Sequence, residues 1–215
     1  MTYRLLDLFC GAGGAAMGYH RAGFEIVGVD HKPQKHYPFT FVLGDALEYC
    51  AEHGAEFDAI HASPPCQRYS VSTPPSRRAS HPDLVAPTRK VLRLSGRPYV
   101  IENVPGAPVE APFMLCGTMF GLVGPDYHLR RHRLFEAPWW RWLVPACYHW
   151  PGPAITITGH GWSYAETRRL GRHLLNDERK LLMGIDWTNR DELSQAVPPT
   201  YTYYIGCRLL EHLHK

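Results

Sequence analysis

Tyr3-Arg4-Leu5-Leu6-Asp7-Leu8-Phe9-Cys10-Gly11-Ala12-Gly13-Gly14 is the stretch that decides how this chain folds. Tyr3 to Phe9 is a short apolar run halted by glycines, the pattern of a buried strand that empties into a tight turn. Ala15 to Ala22 then carries a helical pattern closed by Gly23. Glu25 to Asp30 is a second strand, rich in β-branched residues and ending on an acid. Further strands follow at Phe39 to Leu43, ahead of Gly44-Asp45, and at Phe57 to Ala62, which delivers the chain to Ser63-Pro64-Pro65-Cys66-Gln67. Leu84 to Leu94 reads as a helix, and Pro98 to Val104 as a fifth strand carrying Glu102 and Asn103. Alternating strands and helices predict an α/β fold with a mostly parallel sheet and helices on both faces.

Beyond Pro105 the texture changes. Met114 to Leu122 and Arg133 to Ala137 are expected as strands, and Pro138 to Arg172 is irregular and rich in Trp, Pro, Gly and His. Asp177 to Met183 suggests a short helix capped by Asn176 or Asp177. Thr200 to Leu213 is a closing helix with Tyr201, Tyr204, Ile205, Leu209 and Leu213 on one face. Ser72 to Pro87, rich in Ser, Pro and Arg, is expected as a mobile loop beside Cys66.

The bulk numbers set bounds. A length of 215 residues favours one domain with room for a small insertion, and 45% apolar residues suffice for a core. Lys and Arg number 23 against 20 Asp and Glu, a net of +3 that permits nucleic-acid binding without arguing for it. The six cysteines follow no charged leader, and no apolar run reaches bilayer length. Free thiols in a cytoplasmic protein are the expectation.

Ligands of such sheets bind at the carboxyl ends of the strands. The glycine turn, Asp30, Asp45, Cys66 and Glu102 all fall there. The turn of Gly11, Gly13 and Gly14 lets backbone approach a ligand, Asp30 suits ribose hydroxyls, and Asp45 suits an adenine amino group. No Lys-Ser/Thr phosphate pattern follows the glycines, so an adenosine ligand without a triphosphate is favoured. Cys66, led in by two prolines, is a candidate nucleophile whose thiolate Arg68, Arg131 or Arg133 would favour; the ordinary alternative is an inert core thiol. Glu102 ends the apolar run Tyr99-Val100-Ile101, where burial raises a carboxyl pKa and suits it to donate a proton to a ring nitrogen; the alternative is a structural ion pair. Arg131 and Arg133 would share one face of a strand and reach a base carbonyl and a phosphate, or else form a solvated cationic edge. Trp139, Trp140 and Trp142 could stack on unpaired bases but more often fill a core. Cys147-Tyr148-His149 with Cys116, His128, His132 or His160 matches no standard zinc spacing, so no metal is expected.

These motifs, in this order, resemble those of the C5-cytosine DNA methyltransferase family. Asp7 to Gly14, Gly18 and Ala22-Gly23-Phe24 are similar to its S-adenosylmethionine motif, Pro64-Pro65-Cys66-Gln67 to its nucleophile motif, and Glu102-Asn103-Val104 to its proton-donor motif. Arg131-His132-Arg133 resembles its Gln-x-Arg-x-Arg motif, and Ala196-Val197-Pro198-Pro199 with Ile205-Gly206 its last, pocket-closing motif. Departures are Leu129 for Gln, Ser194-Gln195 for Gly-Asn, and Asp30 for Glu.

The resemblance implies a Rossmann-like S-adenosylmethionine-dependent methyltransferase fold. It divides the chain into a catalytic part, 1–136 with 177–215, and a reduced target-recognition insertion, 137–176. It assigns catalysis to Cys66, Glu102, Arg131 and Arg133. It assigns S-adenosylmethionine to Phe9, Gly11, Gly13, Gly14, Asp30, Asp45, Pro64, Gln195 and Val197. The implied substrate is cytosine flipped out of double-stranded DNA. Cys66 would add to C6 while Glu102 engages N3, Arg133 would take the base carbonyl, and Arg131 the loop or a phosphate. Methylation would occur at C5. So short a recognition region leaves room for a homodimer, a companion recognition subunit, or the same chemistry on RNA or a free cytosine nucleotide. A non-catalytic nucleic-acid-binding subunit is the rival of a different kind.

Overall fold

Leu5 and Leu6 point to opposite sides of the first strand, and that alternation builds two cores. In a computed structural model of the chain, which describes residues 2–158, 168 and 170–215, β1 (Arg4–Leu8) lies between β2 (Glu25–Asp30) and β4 (Ala59–Ala62). Both neighbours run parallel to it, with Leu8 opposite Val29 and Ala62. β3 (Thr40–Leu43) flanks β2, and β5 (Tyr99–Asn103) flanks β4 with Ala62 opposite Ile101. β4 and β5 are buried along their whole lengths, so both faces must be covered.

Helices supply the cover. One core joins Leu5, Ile26, Ala59 and Val100 to Ala16 and Tyr19 of α1 (Gly14–Ala22) and to Tyr201, Ile205 and Leu209 of the last helix, Pro199–Leu213. The other joins Leu6, Leu8, Val29 and Ile60 to Cys50 of α2 (Ala46–His53) and Leu92 of the helix Val85–Leu94. The four-residue helix Pro75–Arg78 precedes that one, so in chain order they are α3 and α4. Asn176–Met183, Arg190–Gln195 and Pro199–Leu213 are α5, α6 and α7. No helix among the described residues is long and apolar enough to cross a membrane.

Past β5 one strand of the sheet runs the other way. β8 (Arg133–Glu136) runs antiparallel to β5, and β6 (Phe113–Leu115) antiparallel to β8, completing the order β3-β2-β1-β4-β5-β8-β6. The reversal has a functional result: β8 begins at the edge where the parallel strands end, so Arg133 enters beside Glu102 and Asn103. A small parallel pair, β7 (His128–Leu129) with β9 (Ala154–Ile155), sits over a satellite core of Leu129, Ile155, Ile157, Leu182, Met183 and Leu193.

Several sequence expectations change. The strand expected over Met114 to Leu122 is only β6, followed by a 3-10 turn, Gly117–Phe120. Gly117 packs against Leu129 so closely that a Cβ would lie 2.5 Å from the Leu129 carbonyl oxygen, which pins the chain into the turn. Helices α2 and α6 were not read from sequence; each is started by a side-chain cap, Asp45 and Asn189 respectively. The loop 72–87 holds α3. Trp139, Trp140 and Trp142 pack with Phe113, Tyr204 and His212 rather than standing open for bases, and Trp139 donates to the Tyr99 carbonyl at 2.8 Å. Of the expected insertion 137–176, positions 159–167 and 169 lie outside the described residues.

Candidate active site

The strand registers bring four sequence-distant strand ends to one edge. Leu8, Val29, Ala62 and Ile101 stand in a row, so the glycine turn, Asp30, Ser63–Cys66 and Glu102–Asn103 leave the sheet side by side.

The turn is left-handed at Phe9 (φ 56°), Gly11 (φ 48°) and Gly13 (φ 83°). Asp30 organises it: one carboxylate oxygen accepts from the Gly11 N–H at 3.1 Å and the other from the Lys32 N–H at 3.0 Å. A Cβ on Gly11 would meet nothing within 4 Å, whereas one on Gly14 would stand 2.6 Å from the Val197 carbonyl oxygen. Val197 is buried, and the Trp187 indole donates to the Ala12 carbonyl at 2.8 Å. The C-terminal segment therefore closes one side of the turn and leaves the Gly11 side open. Beneath lies Asp7, the first residue of the glycine-rich motif. It is 1% exposed, and one of its carboxyl oxygens has no partner while the other faces the Tyr37 hydroxyl at 3.4 Å. Burial pushes its pKa up to about 8. An open left-handed turn, a strand-end carboxylate and an unsatisfied carboxyl below it fit an adenosyl-type cofactor bearing a positive centre.

Two residues expected at that cofactor lie differently. Asp45 spends an oxygen capping α2, accepting from Leu47 and Glu48 N–H at 2.8 and 3.0 Å. Gln195 is exposed at the end of α6.

On the catalytic side, Cys66 is half-buried. Its carbonyl accepts from Tyr69 and Ser70 N–H at 3.0 and 2.9 Å, fixing a turn. Asn103 holds the approach to it, donating to the Pro64 carbonyl at 3.0 Å; Pro64 itself is buried. Burial and the Glu102 carboxylate push the Cys66 thiol up, and Arg133 and Arg131 pull it down. Arg68 takes no part in that field and instead donates to the His81 carbonyl at 3.0 Å.

Glu102 is 6% exposed and lies 3.0 Å from Arg133 Nε. Burial raises its pKa, while Arg133, then a Ser63 hydrogen bond, then Arg131 lower it. Ser63 ends a buried chain that sequence reasoning missed: Tyr19 Oη to His61 Nδ1 at 3.1 Å, and His61 Nε2 to Ser63 Oγ at 3.0 Å. Burial drives the His61 pKa down to about 3, so the ring is neutral. With the Tyr19 hydroxyl donating to Nδ1, Nε2–H donates to Ser63, whose hydroxyl is free to donate to Glu102. No sequence motif marks His61, because its role depends on two partners distant in sequence.

Arg131 requires a correction. It is 1% exposed and makes five bonds to four backbone carbonyls: Thr156, Ile157, Ser194 and Ala196. A guanidinium so enclosed cannot reach a phosphate. It ties the residues after β9 and the end of α6 to the segment leading into β8, and acts on Cys66 and Glu102 through its field. Arg133, assigned from sequence to the base carbonyl, is paired with Glu102 and donates to the His132 carbonyl at 2.8 Å.

The expectation of no metal cluster also changes. Cys116, His132, Cys147 and His149 converge, their ligand atoms all within 4.8 Å of one another. His128 stands outside that group, and His160 lies outside the described residues.

Known proteins sharpen the reading. Residues 3–107 match the sequence model of a family described as C-5 cytosine-specific DNA methylase. The chain is 35% identical over 74 residues to the Type II methyltransferase M.FnuDI of Fusobacterium nucleatum, covering 31% of this chain and 22% of that protein. It is 32% identical over 127 residues to the Type II methyltransferase M.AquIA of a Picosynechococcus strain, covering 49% and 50%. The chain thus spans half or less of the length of these curated relatives. In fold it is similar to the Entamoeba histolytica methyltransferase EhMeth, with a TM-score of 0.64, 14% identity and 100% of both chains covered. It is likewise similar to the Dnmt2 methyltransferase of S. pombe, with a TM-score of 0.59, 14% identity and 99% of each.

Proposed function

We propose that this chain, whose residues 3–107 match the model of the C-5 cytosine-specific DNA methylase family, methylates C5 of cytosine in double-stranded DNA through a transient Cys66 adduct. The observation that carries this reading is the convergence of Cys66, Glu102 and Arg133 at the carboxyl edge of the sheet, beside the open glycine turn.

The turn at Phe9, Gly11, Gly13 and Gly14, with Asp30, Pro64 and Val197 around it, would hold S-adenosylmethionine, which when bound supplies an electrophilic methyl group. The chain's own residues prepare the base. Cys66 loses its proton to solvent and forms a bond to C6, aided by the fields of Arg133 and Arg131. Glu102, whose pKa burial raises and Arg133 lowers, donates a proton to N3, so addition at C6 makes C5 nucleophilic. Once C5 has been alkylated, loss of its proton to solvent expels the Cys66 sulfur, and N3 returns its proton to Glu102, which restores the ring. Arg133 keeps Glu102 in register and, from that position, can reach the adjacent carbonyl of a flipped base.

The segment 137–176 serves in this reading as a reduced recognition region, consistent with modest sequence selectivity or a companion subunit. Duplex DNA containing 5-fluorocytosine tests the proposal, because that base arrests the reaction before Cys66 can leave. A denaturation-resistant complex that forms with S-adenosylmethionine and vanishes in Cys66→Ser is expected. Methyl transfer to tRNA or dCMP but not to duplex DNA would move the substrate, and binding without trapping would replace the enzyme with a binding subunit.

A further inference from the structure

Four metal-type ligands from three separate segments meet outside the proposed reaction centre. Cys116 follows β6, His132 sits between the two arginines, and Cys147 and His149 belong to the stretch between β8 and β9, which holds no helix or strand from 137 to 153. Cys116 Sγ lies 3.4 Å from His149 Nε2, and Cys147 Sγ lies 3.5 Å from His132 Nε2 and 2.9 Å from His149 Nε2. The two Nε2 atoms are 3.2 Å apart. Bonds of about 2.0–2.1 Å to nitrogen and about 2.3 Å to sulfur give a tetrahedron with edges of roughly 3.3 to 3.8 Å. Three of the four observed separations fall on or within 0.1 Å of that range, and the fourth is shorter.

Hydrogen bonding alone does not account for this packing. Only one proton fits between two facing ring nitrogens, and both nitrogens also face the Cys147 sulfur. Four potential ligand atoms within 4.8 Å of one another suit a shared cation. The surroundings suit thiolate ligands: the Thr118 hydroxyl is 3.5 Å from Cys116 Sγ and 3.7 Å from Cys147 Sγ. The His149 ring is stacked between those of His132 and His128, with centroids 5.0 and 5.8 Å away.

We propose that Cys116, His132, Cys147 and His149 form a closed, tetrahedral zinc(II) site that fastens the irregular segment 137–153 to the sheet edge and fixes the backbone between Arg131 and Arg133. Two cysteines and two histidines fill the coordination shell, so the site is structural rather than hydrolytic. Both thiols release their protons to solvent on binding. A stretch with so little secondary structure gains from such a staple.

Elemental analysis of the full chain, purified under reducing conditions from zinc-supplemented cells, tests this. About one zinc per chain is expected. The Cys147→Ser/His149→Ala variant should fall below roughly a tenth of that, and Cys50→Ser/Cys207→Ser should retain it. Cobalt(II) added to reduced, metal-stripped protein gives a readout that needs no variant: intense tetrahedral visible bands with a thiolate charge-transfer band are expected. Zinc-free protein with only weak octahedral cobalt bands would overturn the site. So would zinc retained by the double variant, or a Cys116–Cys147 disulfide persisting in reductant. None of these readouts depends on methyl transfer.

Discussion

Arg133 Nε stands 3.0 Å from the Glu102 carboxylate, both nearly buried, so the acid and the cation at the candidate centre act as a single unit. Antiparallel β8 makes the pairing possible by starting where parallel β5 ends. The pair keeps an otherwise costly buried charge partnered, and it sets the pH range over which Glu102 can act as an acid.

That coupling has a sign. Arg133 lowers the Glu102 pKa, and Ser63 lowers it less. If Glu102 works protonated, activity falls as pH rises through its pKa. Arg133→Gln should therefore move the alkaline limb of the kcat profile to higher pH while reducing kcat by about 10²-fold. Ser63→Ala should shift the limb the same way by less. An unmoved limb in both variants would remove Glu102 from the acid role.

Arg131 is expected to behave as a clamp. Arg131→Lys cannot reproduce its five bonds and leaves buried carbonyls without donors, each worth roughly 1–3 kcal/mol. Urea unfolding should show a loss of about 3 kcal/mol or more. Near wild-type stability with weakened DNA binding would instead restore the contact role that the sequence suggested.

The two glycines of the turn should separate. Gly11 faces open space at φ 48°. Gly11→Ala should cost about 1 kcal/mol of stability yet weaken S-adenosylmethionine binding at least tenfold, because its Cβ would enter the cofactor's space. Gly14→Ala meets the Val197 carbonyl at 2.6 Å, so its loss should fall on stability, about 1–3 kcal/mol. Calorimetric titration beside chemical denaturation distinguishes the two.

Asp7 predicts how stability responds to alkali. The native state keeps its proton up to about pH 8, whereas the unfolded chain loses it near 3.8. Between these values the native state binds the extra proton, so stability falls as pH rises through that window. Asp7→Asn should flatten the decline. Denaturation midpoints at several pH values check this, and parallel slopes for the two proteins would mean that Asp7 is not the group responsible.

Much of the fold was legible in the sequence because its signals are local. A mostly parallel sheet with helices on both faces follows from apolar runs punctuated by glycine, and Glu25–Asp30 is placed to the residue. Helix α2 was missed because Asp45 had been assigned to a ligand, and its capping role shows only when Leu47 and Glu48 follow in helical geometry.

The order of the motifs determined by itself which loops carry the glycine turn, Cys66 and Glu102, since a strand end and the residue just after it are neighbours along the chain. Tertiary structure alone decided what those residues touch. It enclosed Arg131 among four carbonyls, joined Tyr19, His61 and Ser63 to Glu102, and gathered two cysteines and two histidines from three segments into one cluster. Each of these arrangements depends on packing between elements far apart in sequence, and neither residue type nor spacing encodes the direction in which a folded side chain points.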